Sequence, residues 1–173
     1  MSNPERIGWA AHGSWCDCRS RAHERRRGFR VTELSTETLH ASCVAIDGHA
    51  VLIEGPSGAG KSDLTLRLVD RGATLVSDDY TTCIRRDGRL FASPPDTIAG
   101  KIEVRGVGIV EMSYETDVTV GLHIAIDAVP VRLPEGFASR RIAGVAIPSL
   151  ALAALEASAP LKIEYALAKA LEA

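Results

Sequence analysis

Gly55-Pro56-Ser57-Gly58-Ala59-Gly60-Lys61-Ser62 fits the pattern G-x-x-x-x-G-K-[ST] in full. The pattern carries a definite physical meaning. Glycines let consecutive backbone N–H groups curl around phosphate oxygens. A helix that starts at the end of the loop adds its free N–H groups and the positive end of its dipole. Lys61 supplies a point charge for the β and γ phosphates, and is expected to face solvent. Ser62 offers a hydroxyl to Mg²⁺.

The flanks agree with this reading. Ala50 to Ile53 is a short apolar run that reads as a buried strand feeding the loop. Upstream, Ser42 to Ile46 reads as a further strand, and Asp47-Gly48 between them is a hairpin turn signal. Downstream of Lys61, Leu64, Leu66, Leu68 and Val69 predict a helix that Gly72 ends. Thr74 to Val76 is the next strand, and it runs into Asp78-Asp79. Strand, helix and strand within about thirty residues make a βαβ unit, so the two strands are expected to be parallel.

The rest of the chain is richer in strands. Thr81 to Ile84 and Arg89 to Ala92 flank Arg86-Asp87-Gly88, a second hairpin. Pro94-Pro95 imposes a loop. Ile102 to Val104 and Val107 to Val110 lie around Arg105-Gly106, and Val118 to Ile126 is a long buried strand. Pro130, Pro134 and Pro148 are expected to cut the chain after that strand into short pieces. Pro160 opens a terminal helix over Leu161 to Leu171, with apolar residues at 163, 167 and 171. No internal repeat is present.

Composition narrows the function classes. With 173 residues and 46% hydrophobic residues the chain suits one domain with a real core. The net charge of -2 argues against a general nucleic-acid binder. Residues 1–30 carry seven Arg against Glu5, Asp17 and Glu24, a local balance of +4, so the remainder sums to -6. That stretch, with Arg25-Arg26-Arg27, reads as an Arg-rich flexible tail, and residues 31–173 as a single catalytic domain. No apolar run approaches a membrane span and no apolar h-region opens the chain, so a cytoplasmic location is expected. The four cysteines, Cys16, Cys18, Cys43 and Cys83, read as free thiols. Cys16 and Cys18 near His12 and His23 match no zinc spacing.

Asp78 and Asp79 stand at the carboxyl end of the strand after the loop helix, where an open α/β sheet places its ligands. A carboxylate there can hold Mg²⁺ or accept the proton of an attacking hydroxyl. Neighbours in an extended strand point to opposite faces, so one of the two is expected to face the phosphates. Glu103 and Arg105 flank Val104, and alternation puts them on one face. Pattern alone selects neither that pair nor His40, and assigns no role to His49 or His123.

The residues His40-Ala41-Ser42-Cys43-Val44-Ala45, the loop Gly55 to Ser62 with Asp63-Leu64, and Leu75-Val76-Ser77-Asp78-Asp79 together resemble a known family. Glu103-Val104-Arg105-Gly106-Val107-Gly108-Ile109 and Arg132-Leu133-Pro134-Glu135 extend the likeness, as does Glu156-Ala157-Ser158-Ala159-Pro160-Leu161-Lys162. The family is the HPr kinase/phosphorylases, in the short form of their catalytic domain known from alphaproteobacteria. The resemblance implies an α/β P-loop fold with a mixed, β-rich sheet, similar to the nucleotide domain of phosphoenolpyruvate carboxykinase. It implies ATP and Mg²⁺ as cofactors and an HPr-like phosphocarrier of the sugar phosphotransferase system as partner, phosphorylated on serine. It also implies the reverse step, in which inorganic phosphate releases pyrophosphate, and assembly as a hexamer. By the same resemblance Asp79 is base forward and acid in reverse, and His40, Lys61 and Arg132 belong to the active site. Ser62 and Glu103 would hold the metal. The stretch from Ala157 to Lys162 falls where the family has a segment important for dephosphorylation.

Two other functions stay open on sequence grounds: a P-loop kinase for a small metabolite, with Arg140-Arg141 as a mobile lid, and a non-catalytic ATP-sensing regulator. The abrupt change from Arg-rich to periodic sequence places the start of the folded part near Val31. Deletion of residues 1–30 is therefore expected to leave a soluble, active protein, as solubility and turnover of the truncated chain would register.

Overall fold

The computed structural model describes residues 35–127 and 129–172. The Arg-rich stretch, with Cys16, Cys18, His12 and His23, lies outside the described residues.

The first strand, β1 (Ser35–Leu39), stops just before His40. The next, buried run forms β2 (Ala41–Ile46). Asp47 and Gly48 both take positive φ, 48° and 76°, as a two-residue turn between twisted strands requires. The chain doubles back as β3 (His49–Glu54), paired with β2 from Ile46↔His49 to Ala41↔Glu54. β3 delivers the chain into the phosphate loop, and α1 (Lys61–Asp70) begins at the loop's lysine. Leu64 and Leu68 bury one face of α1. Gly72, at φ 106°, ends it and donates its N–H to the Val69 carbonyl.

β4 (Thr74–Ser77) comes next. β3 and β4 both run antiparallel to β2. They are thus parallel to each other, as the βαβ reading expects, but β2 stands between them. The tight hairpin occupies that edge of β3, so the crossover through α1 passes over one strand.

β5 (Thr81–Arg86) and β6 (Arg89–Ser93) form the second hairpin, and β5 also pairs with β1. β7 (Lys101–Val104) and β8 (Gly108–Glu111) make a separate two-stranded sheet. The centre of the main sheet is β9 (Val118–Ile126). One edge of β9 lies parallel to β3. The other edge is divided. β6 takes Val118 and Thr119. Beyond it, β11 (Val145–Leu152) takes His123 to Ile126, and β10 (Ala138–Ile142) pairs with β11 alone. The spatial order is β1-β5-β6-β9-β3-β2-β4, with β10 and β11 branching from β9. The architecture is a mixed, curled, β-rich α/β fold, as the sequence indicates.

Pro148 does not cut the chain; β11 runs through it. Pro148 faces Ser139 of β10, and the ladder to β9 begins one residue later, at Ser149. The missing N–H therefore falls before that ladder starts. The terminal helix, α2 (Ala159–Leu171), opens with Pro160 in its first turn and buries Ile163 and Leu167, while Leu171 is exposed. Among the described residues no helix is long and apolar enough to cross a membrane.

The sheet has a core on each face. Val44, Val51, Ile53, Leu122 and Ile124 pack with Leu64 and Leu68 of α1 and Ile163 and Leu167 of α2. Leu39, Leu52, Val76, Leu90 and Ile142 fill the other side with Cys43 and Cys83. Both cysteines are buried and free. Burial pushes the Cys43 thiol well above its ordinary range and the Cys83 thiol up to about 12, so neither is a reactive thiolate.

One irregularity in β9 matters for the side chains beyond it. Ala50 pairs with Val120 but Val51 pairs with Leu122, so Gly121 is an extra residue. Val118 and Val120 face one core, while Leu122 and Ile124 face the helices. His123 consequently points away from the helices and is 3% exposed. One ring nitrogen meets Ser149 Oγ at 2.8 Å and the other meets Glu54 Oε2 at 3.0 Å. Arg140 approaches the same carboxylate through Nε and a terminal nitrogen, each at 3.2 Å. Burial holds the imidazole below its ordinary pKa, against the raising effect of the Glu54 hydrogen bond.

The unfolded chain then binds a proton more readily than the native one, so stability falls as pH drops below about 6.5. Thermal melts from pH 8 to pH 5 are expected to show a steeper acid loss for the native chain than for His123→Asn. Equal slopes would remove His123 as a cause.

Candidate active site

The phosphate loop leaves β3 at Glu54 and curls over the start of α1. Gly58 and Gly60 take φ 77° and 93°, a backbone that side-chain-bearing residues adopt only with strain. Ala59 N–H returns to the Pro56 carbonyl at 3.2 Å, and Leu64 N–H reaches the Gly60 carbonyl at 2.9 Å. Gly55 packs against β9: a Cβ there would lie 2.8 Å from Ile126 Cβ. Residues Gly55 to Ser62 thus form a tight glycine loop at the start of α1.

Lys61 departs from expectation. It does not face solvent but is 7% exposed. Its Nζ donates to the carbonyls of Gly55 and Pro56, at 3.1 and 3.2 Å. The curl of the loop brings these two carbonyls round to the helix start, and the long side chain lies back along the loop to meet them.

Asp78 and Asp79 part company, and the cause is a turn rather than strand alternation. β4 ends at Ser77. Tyr80 N–H donates to the Asp78 carbonyl at 2.9 Å, and Asp79 between them has φ 71°, which is a γ-turn. The Ser77 hydroxyl braces it by donating to the Tyr80 carbonyl. A positive φ at a non-glycine residue stores strain of about 1 kcal/mol or more. The turn sends the two carboxylates into different surroundings.

Asp78 is 5% exposed and accepts three hydrogen bonds. Ser42 Oγ and Ser62 Oγ both donate to Oδ1, at 2.7 and 2.9 Å. Glu103 N–H donates to Oδ2 at 3.2 Å. Asp79, by contrast, has a side chain that is 62% exposed, and His40 Nε2 donates to its Oδ1 at 2.7 Å. Tyr80 flanks the imidazole, ring centroids 5.3 Å apart. His40 reaches this place because Leu39 pairs with Thr81 at the end of β1, which sets the following residue beside the γ-turn.

A cleft of about 460 Å³ joins these groups. Its floor is Gly58, Gly60, Lys61 and Ser62; His40, Asp79, Glu103 and Arg105 stand around it. Glu103 and Arg105 are both exposed, and neither is engaged in an ion pair among the described residues. Arg132 is exposed in the segment between β9 and β10 and does not line it. Among the described residues no cluster of three or more His, Cys, Asp or Glu forms a ready metal cage. The donors present suit Mg²⁺ nonetheless: a hydroxyl from Ser62 and carboxylate oxygen from Glu103, few and hard, as Mg²⁺ takes when phosphates and waters complete its shell.

Ser42 is the functional neighbour that pattern reading passed over. The available signal is a polar residue inside the otherwise apolar buried run of β2.

A glycine loop between a buried strand and a helix, with carboxylates at the next strand's end, defines a P-loop phosphate-binding fold. The chain belongs to the family described as the HPr Serine kinase C-terminal domain, whose model matches residues 32–118. It is similar to the HPr kinase/phosphorylase of Clostridium botulinum (strain Eklund 17B / Type B), 42% identical over 86 residues, covering 49% of this chain and 28% of that protein. The HPr kinase/phosphorylase of Clostridium tetani is 42% identical over 81 residues, covering 46% and 27%. The match spans little more than a quarter of these relatives' length. The solved HPr(Ser) kinase/phosphatase of Coxiella burnetii superimposes with a TM-score of 0.69 at 29% identity, covering 77% of this chain and 95% of that one.

The unequal burial of the two aspartates predicts unequal roles in stability. Asp78→Ala leaves three donors without their acceptor and is expected to cost about 2–4 kcal/mol in urea unfolding. Asp79→Asn, exposed and with a side chain that tolerates positive φ, is expected to leave the midpoint in place. The reverse ranking would contradict the geometry.

Proposed function

We propose that this chain transfers the γ-phosphoryl group of ATP to a serine of an HPr-like phosphocarrier protein in the cytoplasm. The observation that carries the reading is the arrangement at one cleft of a complete phosphate loop, a metal-suited Ser62 fixed by buried Asp78, and an exposed Asp79 paired to His40. Membership of the HPr Serine kinase C-terminal domain family supports the choice of acceptor.

Each group has a task that its chemistry suits. The loop N–H groups and Lys61 bind and orient the phosphates. Ser62 and Glu103 would hold Mg²⁺, which would supply neutralisation of phosphate charge. Asp78 holds the Ser62 hydroxyl by accepting its proton in a hydrogen bond. Asp79, at the exposed mouth, accepts the proton of the incoming serine hydroxyl, and its Oδ1 is oriented by the His40 N–H. Arg105 offers positive charge at the same mouth, and Arg132 joins it only if the segment between β9 and β10 moves toward the cleft.

The same groups run in reverse. Inorganic phosphate attacks phosphoserine, the serine oxygen leaves with a proton from Asp79, and pyrophosphate forms. The resemblance extends the proposal to a hexamer. The rival reading of Arg140 as a mobile lid sits poorly with its hold on Glu54.

Incubation with labelled ATP, Mg²⁺ and purified HPr-like carrier is expected to yield acid-stable phosphoserine. Asp79→Asn is expected to lower the rate by about 10²–10⁴-fold with nucleotide affinity unchanged, and Lys61→Ala to weaken ATP binding as well. Phosphoserine-carrier with Mg²⁺ and phosphate is expected to give pyrophosphate without ADP. Transfer to small hydroxyl compounds but not to the carrier would overturn the acceptor assignment.

A further inference from the structure

β3, which carries the phosphate loop, has different neighbours on its two edges. β2 and then β4 lie on one side, and β4 leads to Asp78 and Asp79. β9 lies on the other side, and β11 beside it runs out into residues 153–158. His40, Asp79 and Glu103 belong to the first flank. Leu66 lies one helical turn after Ser62, which faces Asp78, so it belongs there too. The second flank carries a short turn, of whose residues Leu155 alone lines the cleft.

Arg67 of α1 holds that turn from below. Its Nε donates to Asp63 Oδ2 at 3.0 Å, and its two terminal nitrogens donate to the carbonyls of Glu156, at 3.0 Å, and Ala154. A planar guanidinium can span two carbonyls and a carboxylate at once. The clamp sets Leu155 over the loop: a Cβ on Gly60 would lie 2.8 Å from Leu155 Cδ2. Leu155 lines the cleft and is still 74% exposed. An isobutyl group held out in water at the lip of a phosphate site keeps apolar surface free for whatever enters that site.

We propose that Leu155, positioned by Arg67, is the shelf for the nucleoside part of the bound nucleotide. The proposal rests on the reading of the loop as a nucleoside-triphosphate site. A nucleotide whose terminal phosphate points to Asp79 must run out of the loop on the opposite flank. Leu155 is the apolar group waiting there, able to pack against the faces of the ribose and base. Arg67 touches no ligand; it fixes the turn that presents Leu155.

The test compares a ligand that has a nucleoside with one that lacks it. ADP and pyrophosphate, each with Mg²⁺, are titrated calorimetrically into the full chain. The native chain is expected to bind ADP more tightly than pyrophosphate. Leu155→Ser is expected to weaken ADP by about tenfold, the loss of a modest apolar contact, and pyrophosphate by no more than about twofold. Leu155→Met, which keeps a flexible apolar side chain, is expected to restore ADP binding. Arg67→Lys is expected to show the same split as Leu155→Ser, because one ammonium cannot span both carbonyls. Undiminished ADP binding in Leu155→Ser, or an equal loss for both ligands, overturns the shelf while leaving the nucleotide site standing. A native chain that binds neither ligand overturns the nucleotide reading and the shelf together.

Discussion

A single buried carboxylate ties this site together. The Asp78 carboxyl group is withdrawn from water, which is costly unless donors replace the lost hydration. Three donors do so, and each comes from a different part of the fold: Ser42 from β2, Ser62 from the start of α1, and the Glu103 N–H from the detached β7–β8 hairpin. No two of these elements could drift apart without stranding a polar group. The hairpin has its own small sheet, yet it is locked to the loop through Asp78, and the segment that follows it is tied to β4 by Glu115 N–H on the Leu75 carbonyl at 2.8 Å. Stability and the geometry of the cleft are in this way one constraint.

Asp79 shows the opposite arrangement. The γ-turn that frees it from the strand is strained, and it is kept by the Ser77 brace and by His40. Strained backbone of this sort persists where the surroundings over-determine it. The consequence is that adjacent residues of one chemical type occupy different environments, one buried and fully hydrogen-bonded, the other at the mouth of the cleft. The proposed proton acceptor has the second environment, and the residue that fixes the Ser62 hydroxyl has the first.

The sheet topology divides the surroundings of the loop before any side chain is considered. With the loop strand near the middle, Ser42, Asp78 and Asp79 arrive from the β2–β4 side, and Leu155 arrives from the β9–β11 side. The division of β9's outer edge between β6 and β11 makes this possible, because β11 can then end beside the loop. The same topology places Arg140 away from the lining of the cleft. It is committed to Glu54 on the sheet face away from the helices, next to buried His123.

The phosphate loop, its strand and helix, and both Asp-Gly hairpins were legible from the residues, because each depends on local chemistry; the family was legible only through resemblance. Glycine is needed where φ is positive, alternating or continuous apolar runs mark what can be buried, and a motif of eight residues carries its own geometry. Four things were decided only by the tertiary structure. β2 entered between the strands of the βαβ unit, because a hairpin partner claims an edge that a crossover leaves open. Pro148 stayed inside a strand, because its missing N–H falls before the β9 ladder begins. Gly121 bulged and turned His123 toward Glu54. Lys61 lay back on its own loop. Each of these turns on which groups meet across the fold, and hydrogen-bond partners so distant in sequence, such as Ser42 and Asp78, leave no periodic trace in the chain that could announce them.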